Sequence, residues 1–110
     1  MDTAIIVQAR LGSKRFPGKV LKKINGKTIL EYTIKRLKKT KLSKNIIIAT
    51  TKRDEDQKII KVAKKTNCHT FRGSTNNVLN RYYKAAVYYK VKNIVRICSD
   101  SPLIDPKIIN

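Results

Sequence analysis

The chain has 110 residues, 41% of them hydrophobic and arranged in recurring patterns, which marks one globular domain or part of one and excludes a disordered chain. Lys and Arg number 26 against seven Asp and Glu, a formal net charge of +19, but the cations are spread along the whole chain and are mostly Lys. That distribution suits solvated helix faces better than a focused nucleic-acid stripe. No apolar run reaches membrane-spanning length, and Met1-Asp2-Thr3 lacks the basic-then-apolar build of a signal peptide, so the expected location is the cytoplasm.

Apolar residues alternate between two periods along the chain. Residues 3–8, with Ala4, Ile5, Ile6 and Val7 in a row, predict a first strand that ends at Gly and Pro punctuation. Leu30, Ile34 and Leu37 recur at helical spacing and predict a helix over Thr28–Lys39. Asn45–Thr50 reads as a second strand. A second helix begins near Asp54-Glu55-Asp56, whose carboxylates suit the positive end of a helix dipole; it turns Ile59, Ile60 and Ala63 inward and stops near Asn67. His69–Arg72 predicts a short third strand. Ser74 is the expected N-cap of a third helix with an apolar stripe of Val78, Leu79, Tyr82, Ala85, Ala86 and Tyr89, the tyrosines packing rather than stacking on bases. Asn93–Cys98 predicts a fourth strand, and Asp105-Pro106 announces a further helix just before Asn110. Cys68 and Cys98 lack ligand spacing and read as buried free thiols, and His69 has no metal-binding companions.

Strands with near-continuous apolar runs alternating with helices predict an α/β, Rossmann-like, doubly wound parallel sheet. Its expected strand order is 3-2-1-4, which brings the ends of the first and fourth strands together at the topological switch point, where ligands bind. The first strand empties into a loop that carries Arg10, Lys14, Arg15 and Lys19 around Gly12, Ser13 and Gly18. Glycines let backbone N–H groups approach phosphate oxygens and the cations offset their charge, although a solvated basic surface loop is the plainer alternative. Two common phosphate motifs are excluded on spacing. Five residues, not four, separate Gly12 from Gly18-Lys19, with Val20 where a Walker A loop has its hydroxyl. No glycine follows Gly12 at the interval of a dinucleotide fingerprint. Asp100 leaves the fourth strand on the same side, so a carboxylate would face the basic loop across the crevice, as a magnesium triphosphate requires; the bland alternative is a cap on the following turn.

The segment QARLGSKRFPGKVLKKINGKTILEY resembles the N-terminal signature of the sugar cytidylyltransferases, the acylneuraminate and 3-deoxy-manno-octulosonate cytidylyltransferase group, and most closely the spore-coat polysaccharide type. Phe71–Ala86 (FRGSTNNVLNRYYKAA) and Val95–Pro106 (VRICSDSPLIDP) match that subgroup in order. The resemblance implies a nucleotide-diphospho-sugar transferase fold of the GT-A-like class. It implies that CTP and a sugar, an acidic one in the family pattern, give CMP-sugar and pyrophosphate in surface polysaccharide biosynthesis. Carried over position by position, Arg10 and Lys19 grip the phosphates and Gly12 and Ser13 supply the loop backbone beside them. Gln8 and Ala9 line the pocket floor, and Arg72 and Ser74 fall near the cytosine. Asp100 matches the carboxylate that holds Mg²⁺; its segment reads Ser99-Asp100-Ser101-Pro102, with Ser99 where the family has glycine.

Family members are considerably longer, and their later half supplies sugar contacts, a dimerisation arm and a second metal-binding carboxylate. The chain is therefore expected to be an N-terminal, CTP-binding portion of a homodimeric enzyme, with an uncovered fourth-strand edge and little turnover of its own. The other readings are a catalytically inactive truncated remnant and a basic nucleic-acid-binding protein. A related glycosyltransferase would carry an Asp-x-Asp metal motif, for which Asp54-Glu55-Asp56 is the sole match.

Overall fold

The computed structural model describes residues 2–12 and 18–98. Its central strand, β1 (Thr3–Gln8), exists because Ala4, Ile5, Ile6 and Val7 have two faces to bury, and all four are fully enclosed. Ile5 and Val7 join one apolar cluster and Ala4 and Ile6 another, on the opposite side of the sheet. After β1 come a short 3-10 turn (Lys19–Leu21) and two minimal strands, β2 (Lys23–Ile24) and β3 (Lys27–Thr28), paired antiparallel. Asn25 and Gly26, at φ 52° and 84°, make the turn between them. Apolar periodicity does not reveal this hairpin, because two-residue strands have no period.

Helix α1 (Ile29–Leu37) starts at a complete capping box. The Thr28 hydroxyl accepts from Glu31 N–H at 3.1 Å and the Glu31 carboxylate accepts from Thr28 N–H at 3.2 Å. Leu30, Ile34 and Leu37 are buried, as their spacing predicts. Strand β4 (Ile46–Thr51) follows, then a 3-10 turn (Asp54–Asp56) leading into α2 (Gln57–Lys65), which buries Ile59, Ile60 and Ala63. Asn67 supplies the positive φ, 59°, just past the helix. Strand β5 (His69–Gly73), helix α3 (Val78–Tyr88) and strand β6 (Asn93–Cys98) complete the described chain. Cys68 is a half-buried free thiol pushed up in pKa by its burial. His69 packs against the Tyr89 ring, their centroids 5.3 Å apart.

The sheet order is β5-β4-β1-β6 with every neighbour parallel, the expected 3-2-1-4 arrangement in strand terms. Residues of α1 and α2 pack into the cluster of Ile5, Val7 and Ile48, and residues of α3 into that of Ala4, Ile6 and Ile47. The chain winds outward through β4 and β5 and then returns across β1 to β6. Among the described residues β6 lies at an edge of the sheet.

Helix α3 departs from expectation twice. Its N-cap is Asn77, whose carboxamide oxygen accepts from Asn80 N–H at 2.9 Å; the Ser74 hydroxyl instead accepts from Asn77 N–H in the turn before. Four consecutive capable residues, Ser74-Thr75-Asn76-Asn77, precede the apolar period, and the one adjoining Val78 takes the position. The buried stripe is Arg81, Tyr82, Ala85 and Ala86, with Tyr89 half-buried, while Val78 and Leu79 are exposed. Leu79, Tyr83 and Val87, 67%, 64% and 57% exposed, form a second apolar row on a flank turned away from the sheet. The helix announced by Asp105-Pro106 lies outside the described residues.

Thr28→Ala should lower stability by about 1–2 kcal/mol, read from urea denaturation midpoints. Hydrogen bonding to Thr28 holds the Glu31 carboxyl below the usual carboxylate range. The contribution of the Glu31 arm is thus complete above that range and lost as pH falls through the lowered value. The gap between wild type and Glu31→Ala should shrink on acidification below about pH 4. A gap independent of pH would exclude the carboxylate from the cap.

Candidate functional site

All four strands of the main sheet are parallel, so their C-terminal ends form one rim, and the loop that follows β1 opens onto it. Ala9 is buried and extends the ladder through its N–H to Ala49 O at 3.0 Å; Arg10 is half-buried beyond it. The loop closes on itself where Gly18 N–H donates to Leu11 O at 2.9 Å. Gly18 sits at φ 70°, in the left-handed region that favours glycine, and turns the chain into Lys19–Leu21. Val20 is the buried peg of that turn, seated in the cluster with Leu30 and Ile34, so Lys19 rides on a fixed point beside the loop mouth.

Asp56 anchors the other end of the loop. Its side chain has no exposure; one oxygen accepts from Leu11 N–H at 2.8 Å and the other from the Thr51 hydroxyl. The expectation that this acidic run merely offsets a helix dipole is corrected for Asp56, whose carboxylate is spent on the loop and on β4. The loop also passes close to the turn at 54–56: a Cβ on Gly12 would lie 3.3 Å from Glu55 Oε1. A cavity of about 320 Å³ lined by Arg53, Asp54 and Glu55 opens at that turn, at the small end of ligand-site volumes.

Arg72, at the end of β5, donates to Thr51 O at 2.7 Å, Gln57 Oε1 at 2.9 Å and Arg53 O at 2.6 Å. In this arrangement it pins the β4–α2 connection. Ser74 follows it, with its carbonyl accepting from Arg81 Nε at 2.9 Å. Arg81 is 1% exposed and was not among the residues singled out from the sequence. It donates also to Thr75 O at 3.1 Å and to Gln8 Oε1. Burial, and next the nearby Arg10 guanidinium, push its pKa down, while Asp56 opposes the shift. Its signal was present: Arg81 stands one turn before Ala85 on the buried face of α3.

Gln8, Ala9, Arg10, Gly12 and Lys19 thus gather where β1 ends, while Arg72 lies within β5 near its end and Ser74 just after it, two strands away. Gln8 pairs in register with Cys98, so β6 ends beside it. The two strand ends expected to meet do so. Ser13 and Asp100 lie outside the described residues. Among the described residues no group of three or more His, Cys, Asp or Glu could hold a metal, and no helix is long and apolar enough to cross a membrane. Neutral and cationic donors dominate the rim, an arrangement that can receive a polyanion.

A family model described as cytidylyltransferase matches residues 4–110. The uncharacterized protein MJ1063 of Methanocaldococcus jannaschii is 44% identical over 105 residues, covering 96% of this chain and 43% of that protein. The spore coat polysaccharide biosynthesis protein SpsF of Bacillus subtilis is 33% identical over 113 residues, covering 99% and 47%. The solved structure of a cytidylyltransferase from Leptospira borgpetersenii serovar Hardjo-bovis superposes with a TM-score of 0.95 at 42% identity, covering 99% and 46%. The chain spans less than half the length of these proteins.

Asp56→Ala should strand the Leu11 N–H and the Thr51 hydroxyl and cost about 2–3 kcal/mol in urea denaturation. Amide exchange at Leu11 should accelerate in the variant under native conditions. Unchanged stability and unchanged Leu11 protection would show that the loop is held by something else.

Proposed function

This chain belongs to the cytidylyltransferase family, and from that premise we propose that it is the nucleotide-binding half of an enzyme that activates a sugar with CTP. The observation that carries the reading is the meeting of β1 and β6 at the switch point, with the Arg10–Lys19 loop leaving one strand there and Asp100 following the other. In the whole enzyme, a sugar hydroxyl oxygen attacks the α-phosphorus of CTP in line. The new oxygen–phosphorus bond forms as the bond to the β-phosphate oxygen breaks, the hydroxyl proton passes to solvent, and pyrophosphate leaves. Arg10 and Lys19 offset the charge that collects on the departing pyrophosphate, while Gly12 and Ser13 bring backbone N–H groups to its oxygens. Gln8 and Ala9 form the floor beneath the nucleotide; Arg72 and Ser74 belong to its cytosine side.

Mg²⁺ belongs to the proposal through Asp100, the carboxylate that would hold it; bound there, a hard cation would offset phosphate charge. The described residues do not complete a donor set, since both Asp56 oxygens are already engaged. No step is therefore routed through the ion. The sugar is proposed to be acidic and destined for surface polysaccharide, and the full-length enzyme to be a cytoplasmic homodimer. Nucleic acid and membrane have no part in the reading. Binding, rather than turnover, is the property to measure on a chain of this length.

Titration calorimetry with CTP, UTP, ATP and GTP, with and without Mg²⁺, tests the assignment. CTP should bind at least about tenfold more tightly than the others, and Lys19→Ala and Asp100→Ala should each weaken it by about tenfold or more. Equal affinity for all four nucleotides, indifferent to both substitutions, would overturn it.

A further inference from the structure

Arg81 is a buried cation whose three acceptors, Gln8 Oε1, Ser74 O and Thr75 O, are all neutral. The fold makes room for it: a Cβ on Gly73 would lie 3.1 Å from Arg81 Cγ and 2.9 Å from the Phe71 ring, so the absent side chain leaves the guanidinium its path. An arginine enclosed this completely with no carboxylate among these hydrogen-bond partners is costly unless its geometry does something. What it joins is the end of β1 to the β5–α3 connection, two segments that border the rim.

The consequence falls on Gln8. A guanidinium only donates, so the carboxamide oxygen must face Arg81 and the planar amide turns its amino group the other way. The alternation of β1 fixes the side: Ala4 and Ile6 pack on the α3 face, and Gln8 shares their parity. The turn bearing Lys19 is seated on the opposite, α1 face through Val20. Phosphates held by the loop leave the α3 side of the β1 terminus to the rest of the ligand.

We infer that Arg81 is a positioning residue that acts through Gln8, locking the carboxamide so that its amino group donates to the nucleoside portion of the bound nucleotide. The inference rests on the nucleotide-binding reading above. It makes Gln8 a donor of fixed direction, which matches an acceptor such as a pyrimidine carbonyl and mismatches a donor there.

Gln8→Glu is the sharpest probe. The carboxylate still accepts from Arg81, so the link to α3 survives, but the outward donor becomes an acceptor. Affinities for CTP and for inorganic tripolyphosphate, measured on wild type and variant, separate the nucleoside contribution from general charge. Expected are an unchanged or raised melting temperature, a loss in CTP affinity of about tenfold, and a loss for tripolyphosphate below about threefold. Arg81→Lys keeps the charge but cannot hold three acceptors in one fork, and should show the same split between the two ligands. Should that variant fail to fold, Gln8→Glu alone decides. Equal losses for both ligands, or no loss for CTP, overturn the inference while leaving the nucleotide reading intact. Failure of the wild-type chain to bind CTP overturns both.

Discussion

A carboxylate that water does not reach decides where the basic loop begins. Asp56 accepts one hydrogen bond from the first residue of the loop proper, Leu11, and another from Thr51 at the end of β4. Because Asp56 opens α2, a single side chain ties the exit of β1 to the exit of β4 and the entry to a helix, the first of them 45 residues away in sequence. A loop rich in like charges would otherwise be driven outward by its own repulsion. The stem is held on that buried acceptor, and the far end by the Gly18 N–H on Leu11 O and the Val20 peg.

The distribution of cation types follows from the same arrangement. Arg72 and Arg81 use their planar forks to bind backbone carbonyls and glutamine oxygens, and each connects two segments at the C-terminal side of the sheet. Most of the lysines lie on exposed helix faces and turns, where a hydrated ammonium loses nothing. The bulk charge of +19 is therefore a poor guide to the site. What distinguishes Arg72 and Arg81 is that their guanidinium groups are ordered by neutral acceptors, whereas Arg53 is paired with the Glu55 carboxylate.

The architecture was legible because strands enclosed on both faces carry unbroken apolar runs, as Ala4–Val7 and Ile46–Ala49 do, while α1 and α2 repeat at helical spacing. Strand order followed from winding rules rather than from any residue. The site was legible only in part. Arg10 and Lys19 stand out because a glycine-containing loop surrounds them. Arg81 did not, since an arginine in a helix beside Lys84 reads as another solvated cation until the sheet beneath is known. Asp56 was masked by a cheaper explanation, an acid at a helix start, and local sequence cannot tell that its partner lies 45 residues earlier. Helix α3 misled for a related reason: its apolar residues exceed what one sheet face can cover, so periodicity alone could not choose between Leu79 and Arg81.

That excess has a colloidal consequence. Leu79, Tyr83 and Val87 are exposed, and so is Ile94 on β6, whose outer edge no described strand occupies, so the chain carries oily surface and, among the described residues, an open strand edge. In dilute buffer the strong positive charge keeps copies of the chain apart. Added salt shortens the reach of that repulsion and leaves the greasy row untouched, so solutions of this chain should cloud as ionic strength rises rather than as it falls.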